Sequence, residues 1–504
     1  MIRDPEQSIR LQENACEKRP QKFVFSAVSA TIADGSSGLG QGMIDLLPDN
    51  ALLEIFAFCR DDSPGAPDSL SLWYWTLRWK RLTHVCRRWR YIIHGSPRRL
   101  DLQVVCSDKT PTKTLLHIWP PYPVSVMCLP MLVLKPKHVD NIIAALEHRD
   151  RVSAIHIFLI QGLALRNLVA AMQEPLPALT DLYLGSTQIE MTKLPKTFLG
   201  GCAPRLRSFC LGSIPFPAFP EFVSGCTKLV QLNLFDIWSA GYISPEAMAT
   251  CLAALPNLGS LSIRFRSPLF RPLQIPPPLT RAVLPALTNL HFCAVGEYFE
   301  DFLSRLDIPL LNLLSTEYFV NPVFDLPQLH NFIGRTEALG SFNQANVEFS
   351  SGSIKIILGT PTRIELSISC EEVGHQLSRL AQLCSQYLPL LSLVEQLSVR
   401  EIHRSPLDWR NVVMDASRWL ELFHPFVAVH NLHISKQLVP FVAAALQELT
   451  GERTMEVLPE LVNLFLQELP PSGSVQDTVR SFTSARQLSG HPVAIHSPSW
   501  QEQA

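Results

Sequence analysis

The residues with the spacing to do chemistry come first. Gly35-Ser36-Ser37-Gly38-Leu39-Gly40 is spaced like a glycine-rich turn that cradles a dinucleotide pyrophosphate. Such a turn needs a strand before it and a helix N-terminus behind it, so that backbone N–H groups meet the phosphates. Here Asp34 puts a carboxylate where the first glycine belongs, and Pro48 interrupts the helix that should follow. A linker fits the stretch better. The fifteen histidines form no H-E-x-x-H, and the twelve cysteines form no C-x-x-C pair. No metal centre or cofactor is therefore assigned. There is no G-x-S-x-G elbow and no cysteine in a recognisable nucleophile setting, so no catalytic residue is named and no enzyme is expected. Arg78, Lys80, Arg81, Arg87, Arg88 and Arg90 lie among tryptophans, a pattern that can touch nucleic acid. The formal net charge is −2, so the run reads as the solvated side of an apolar helix, with no nucleic-acid partner.

The elements that position these residues are largely apolar. Hydrophobic residues make up 47% of the 504 and charged residues 17%, with a mean hydropathy of +0.13. Such a chain buries a large core. The scattered cysteines, such as Cys210, Cys251 and Cys293, read as small core residues of a reducing compartment. No secretory signal and no apolar run of membrane-spanning length is seen, so no membrane partner is expected and the cytoplasm or nucleus is.

Residues 1–42 read as a disordered N-terminal tail, because their composition buries too little to offset ordering. Residues 43–95 carry two linked patterns. Leu47-Pro48 opens a helical stretch in which Leu52, Ile55 and Phe56 share a face, with Asp45 as a cap. After the turn-rich Asp61-Asp62-Ser63-Pro64-Gly65-Ala66-Pro67-Asp68, a second helix carries Trp79, Leu82, Val85, Cys86, Trp89 and Ile92 as one continuous stripe. Residues 96–150 read as a linker or cap region, with a strand near Leu100–Val104 and a short helix near His138–His148.

From residue 151 apolar residues recur at i, i+3 and i+5. The set comprises Val152-Ile155-Ile157, Leu179-Leu182-Leu184, Leu206-Phe209-Leu211, Leu229-Leu232-Leu234, Leu258-Leu261-Ile263 and Leu287-Leu290-Phe292. Val394-Leu397-Val399, Val429-Leu432-Ile434 and Leu461-Leu464-Leu466 continue it. The first six start 23 to 29 residues apart, near the period of a leucine-rich repeat. The pattern fades over 300–390. Alternation turns i+3 and i+5 inward and leaves Tyr183, Asn233, Phe235, Arg264, His291, Arg400 and His433 on the open face of the sheet, as candidate substrate-binding residues. Ser208, Cys210, Gln231, Ser262 and Asn431 are expected beside them. Residues 470–504 read as a C-terminal cap or tail.

The two patterns in 43–95 resemble an F-box. The repeats behind them resemble the irregular leucine-rich repeats of many fungal F-box proteins. The F-box resemblance covers about fifty residues, with a longer segment than usual, Cys59 to Arg78, between its halves. It implies an α/β fold: a small helical F-box module, then an irregular leucine-rich-repeat-like solenoid with a curved parallel sheet over 151–469. It also implies the substrate-recognition subunit of a Skp–cullin–F-box ubiquitin ligase. Its F-box would bind a Skp-family adaptor through Leu47, Pro48, Leu52, Ile55, Phe56, Leu82, Val85, Cys86 and Trp89. Through the adaptor it would reach a cullin–RING ligase, while the solenoid holds a target protein. The alternatives are a repeat scaffold outside any ligase and an enzyme with an unrecognised site in the solenoid or in 300–390.

Overall fold

The computed structural model describes residues 46–61, 81–97, 99–107, 112–118, 121–128, 136–160, 162–186, 192–266, 280–294, 296–318, 327–340, 342–350, 352–369, 373–387, 389–402, 415–449, 451–467 and 473–497. Asp45, Trp79 and the glycine-rich stretch lie outside them. The chain divides into two compact units at Phe58/Cys59, inside the stretch read as one module.

The first unit holds helix α1 (Asp49–Asp61), which runs on into the second. Pro48 sits just before it, and its carbonyl accepts the first helical bonds, from Ala51 N–H at 2.9 Å and Leu52 N–H at 3.1 Å. Asp49 puts a carboxylate at the positive end of the helix dipole.

The second unit opens with helix α2 (Arg87–Gly95). The single stripe expected over Trp79–Ile92 is broken here. His84 and Val85 donate back to Arg81 and Leu82 carbonyls, which ends the first turn, and Cys86 is extended at φ −153°. Cys86 Sγ then accepts the Trp89 N–H at 3.4 Å and caps α2. Ile92 and Ile93 are buried on α2, and His94 Nδ1 meets the Tyr122 hydroxyl at 2.9 Å.

The unit is mixed α/β. Its strands and helices follow in this order: β1 (Val104–Ser107), α3 (Thr112–Ile118), β2 (Val124–Cys128), α4 (Pro136–Leu146), β3 (Val152–Ile160), α5 (Gly162–Ala171), β4 (Asp181–Ser186), β5 (Ser208–Gly212), α6 (Phe219–Ser224), β6 (Gln231–Ile237), α7 (Pro245–Leu252), β7 (Ser260–Phe265). Then come β8 (Ala282–Val283), β9 (Asn289–Ala294), α8 (Gly296–Ser304), β10 (Leu306–Asp307), β11 (Leu313–Tyr318), α9 (Pro327–Arg335), β12 (Gln344–Ser350), β13 (Ser353–Leu358), β14 (Arg363–Ser369), α10 (Val373–Tyr387). The last are β15 (Gln396–Glu401), α11 (Ala416–Phe423), β16 (Asn431–Ile434), α12 (Val439–Gln447), β17 (Asn463–Leu466), α13 (Gly473–Leu488) and β18 (Ala494–His496). Among the described residues sixteen strands form one sheet, in the order β1–β7, β9, β11, β14, β13, β12, β15–β18; β8 and β10 pair separately. All pairings are parallel except the two that β13 makes with β12 and β14. β12 lands three places beyond β11, and β14 and β13 fill the gap.

The i+3 and i+5 positions fall into register and form the core. One buried row runs Ile155, Leu182, Phe209, Leu232, Leu261, Leu290, Leu314, and the next runs Ile157, Leu184, Leu211, Leu234, Ile263, Phe292, Thr316. Each of these apolar side chains is 5% exposed or less. Burying one contributes roughly 1.5–3 kcal/mol, so the rows dominate stability. The helices pack each on the next from α6 to α13. Glu300 on α8 accepts the N–H groups of Gln328 at 2.5 Å and Leu329 at 2.9 Å, capping α9 and tying the two helices together.

Regular structure extends through three stretches where the repeat pattern is weak or absent. The 96–150 stretch read as linker or cap supplies β1 and β2, the first strands of the sheet. Residues 300–390 contribute β11 to β14, and the stretch from 470 contributes α13 and β18, which pairs with β17.

Candidate functional site

Two surfaces bear the residues singled out from the sequence. On the first unit, Leu52 and Phe56 are each only 1% exposed, Leu53 is buried with them, and Leu47 is half-buried. Pro48 is exposed and Ile55 is 45% exposed. Ile55 therefore leaves the face it was expected to share with Leu52 and Phe56. It belongs with Leu46 and Phe58, both 70% exposed, which the sequence reading passed over. Three apolar side chains are thus left in solvent over this short stretch. The 3.6-residue period holds the signal: positions 52, 53 and 56 turn one way, 55 and 58 another.

On the second unit, Leu82 and Trp89 are half-buried and Val85 is 59% exposed. Cys86 is half-buried, and its Sγ caps α2. Tyr91, at 80% exposed, is a further apolar group that the helical stripe did not single out. His94 is drawn below its usual pKa by burial and then by Arg90, and its Nδ1 lies against the Tyr122 hydroxyl.

The second surface is the sheet face opposite the core rows. Register brings His156, Tyr183, Cys210, Asn233, Ser262, His291 and Ser315 into one row across β3 to β11. His433 lies in a continuation of that row with Ser398, Phe465 and His496. Phe235 pairs with Gly212 in a second row, and across a register shift Arg264 pairs with Cys293; farther along, Arg400 pairs with Glu348. All seven candidates thus share a face, although they do not meet at one point. Cys210 lies in the first row but is buried.

Local groups form along this face. The Phe158, Tyr183 and Phe235 rings meet at 4.1 and 5.7 Å between centroids. Gly212 makes this possible: a Cβ there would lie 2.0 Å from the Phe235 ring. Burial, with Cys210 and Asp236 nearby, pushes the Tyr183 phenol well up. His291 Nδ1 contacts Ser315 Oγ at 3.0 Å, and burial, then Arg264, draws its pKa down. Over β12 to β15 the charges answer each other. Arg400 bonds Glu348, Lys355 lies 3.6 Å from Glu348 and 3.5 Å from Glu365, and Arg363 lies 3.1 Å from Glu365. At the far end, His433, Phe465 and His496 stack at 4.2 and 4.5 Å beside a 630 Å³ hollow that also touches Ser398, Arg400 and Ser435. Burial draws the His433 pKa down.

These groups supply stacking, hydrogen bonding and paired charge, the means of holding a partner. Among the described residues no cluster of three or more His, Cys, Asp or Glu side chains could hold a metal ion, and no helix is long and apolar enough to cross a membrane. Compared with models of known protein families and with curated protein sequences, the chain matches none.

Proposed function

We propose that this chain is the substrate-recognition subunit of a Skp–cullin–F-box ubiquitin ligase. The supporting observation is the exposed apolar set around Leu47-Pro48 and α1, with Ile55 at 45% and Phe58 at 70% exposed, in a sequence that resembles an F-box. A few apolar anchors on a rigid helix carry most of the energy of a compact interface. Pro48 fixes the entry to α1 and so the direction in which Leu46 and Leu47 are presented.

In this reading the sixteen-stranded sheet and its helices are an irregular leucine-rich-repeat-like solenoid, curved so that the Tyr183 to His433 face is concave. That face holds the target, in the cytoplasm or nucleus. The chain makes and breaks no bond. It raises the effective concentration of a target lysine near the conjugating enzyme.

Co-purification tests this directly. Tagged wild type and Leu47→Ala/Pro48→Ala chains are isolated from cell extract and their partners identified by mass spectrometry. Wild type should bring down a Skp-family adaptor and a cullin, and the double variant neither. An adaptor recovered without cullin favours a scaffold outside the ligase. No adaptor with either chain ends the proposal.

A further inference from the structure

The repeat places a second kind of surface at the rim where the chain enters each strand. Residues i−1 and i+1 of each repeat lie there, flanking the buried residue at i. Consecutive rim residues are linked by backbone bonds: Arg207 N–H to Thr180 O at 2.7 Å, Val230 N–H to Arg207 O at 2.7 Å, Gly259 N–H to Val230 O at 2.8 Å. Side chains at i−1 and i+1 from neighbouring repeats therefore converge, whatever their distance in sequence.

Over β4 to β7 this rim is basic. Arg205, Arg207 and Lys228 line an open hollow of 530 Å³ with Thr180, Val230 and Asn257. All three cations are exposed, and none makes an ion pair or side-chain hydrogen bond among the described residues. No carboxylate lines the hollow. Asp181, next to Thr180, accepts from the Thr180 hydroxyl at 2.6 Å, and Glu221 is engaged by Lys196 at 2.6 Å. Farther along, two of these rim positions are acidic: Glu395 follows Val394, and Glu460 precedes Leu461, both exposed. The positive charge is thus local to one arc, in a chain whose net charge is −2.

We propose that the Arg205–Arg207–Lys228 rim is a docking site for an acidic peptide segment of a partner protein. Three unpaired cations around a hollow without acids create a positive potential that only an anionic group neutralises. Exposed Val230, at 41%, gives the floor an apolar contact suited to a side chain between the acids. The hollow has no aromatic side chain on which a base could stack, which separates it from single-strand nucleic-acid sites. The inference stands apart from the adaptor reading, since it uses no residue of α1 or α2.

The test uses the purified full chain and two fluorescein-labelled probes: a twelve-residue peptide of alternating Glu and Ser, and a single-stranded oligonucleotide. Binding is followed by anisotropy at low and high salt. Wild type should bind the peptide, and affinity should fall steeply with salt. Arg205→Glu/Arg207→Glu/Lys228→Glu should lose at least about tenfold, whereas Lys113→Glu, an exposed charge reversal on α3, should bind as wild type. The three rim side chains are exposed, so circular dichroism should show the triple variant folded. The proposal fails if the peptide does not bind, if the triple variant binds it unchanged, or if the oligonucleotide binds more tightly through the same three residues.

Discussion

Gly359 sits where β13 turns back into β14, and its replacement should be costly in a way the sequence alone does not announce. Its φ is +78°, and its N–H donates to Gln344 O at 3.0 Å. A Cβ built there would lie 2.2 Å from the Phe342 ring and 2.4 Å from the Thr362 carbonyl oxygen. The left-handed backbone costs an alanine about 1 kcal/mol. Relieving the overlap adds about 2 kcal/mol, because the carbonyl is backbone and cannot swing away as a side chain would. Gly359→Ala should therefore destabilise by about 3 kcal/mol. Gly352, in the turn between β12 and β13, is the internal control. Its Cβ would meet nothing within 4 Å, and its φ lies outside the left-handed range. Gly352→Ala should be neutral or stabilising by about 0.5 kcal/mol. With a urea dependence of about 3 kcal/mol/M, the first variant lowers the midpoint by about 1 M and the second moves it by less than about 0.2 M. Urea titrations followed by circular dichroism separate them. Equal shifts for the two variants would refute the placement of Gly359.

Two further outcomes are expected. His156 faces Tyr183 with both ring nitrogens buried and without hydrogen-bond partners among the described residues. Burial lowers its pKa from 6.5, against a smaller opposing pull from Asp181. His94, His291 and His433 shift the same way. The unfolded chain takes up protons first, so stability should be full above about pH 7 and fall as pH drops through 6.5 toward the folded values. His156→Leu should flatten that slope in thermal melts across pH 5 to 8, and an unchanged slope would exclude His156 as a contributor. Among the described cysteines only Cys202 is exposed. Burial pushes the Cys210, Cys251 and Cys293 thiols up to about 12 and that of Cys226 to about 11. Brief alkylation at neutral pH, mapped by mass spectrometry, should mark Cys202 and spare these four; rapid labelling of Cys251 would contradict the packing of α7.

The parallel strands from β3 onward were legible because each places large apolar residues at two consecutive inward positions. The strands that escaped did so for identifiable reasons. β11 carries Thr316 where the pattern asks for an apolar residue, and the threonine is buried all the same, at 2% exposed. β2 has Val126 and Cys128 at the inward positions but Pro123 at the first, and β1 has Gln103 there. The β12–β13–β14 meander keeps the two-residue alternation while abandoning the repeat spacing. Its place between β11 and β15 is decided by pairing, which no local pattern encodes. On α1 the helical period was visible, and Ile55 was still set on the wrong face, because apolar character alone does not separate an inward residue from an exposed one. Cys86 was read as part of a stripe for the same reason. Its role as a cap appears only once the chain is seen to break at His84–Val85. The basic rim was written in the repeat at positions i−1 and i+1, and became visible once register showed which repeats adjoin.

The proposed adaptor interface is tested most directly by calorimetry of the purified chain with a purified Skp-family adaptor, comparing wild type with Ile55→Glu. Ile55 is nearly half exposed, so the substitution leaves the burial of Leu52 and Phe56 intact and circular dichroism should not change. The account predicts saturable one-to-one binding by wild type and at least a tenfold loss, about 1.4 kcal/mol, in the variant. Wild type that does not bind, or a variant that binds equally well, would contradict it.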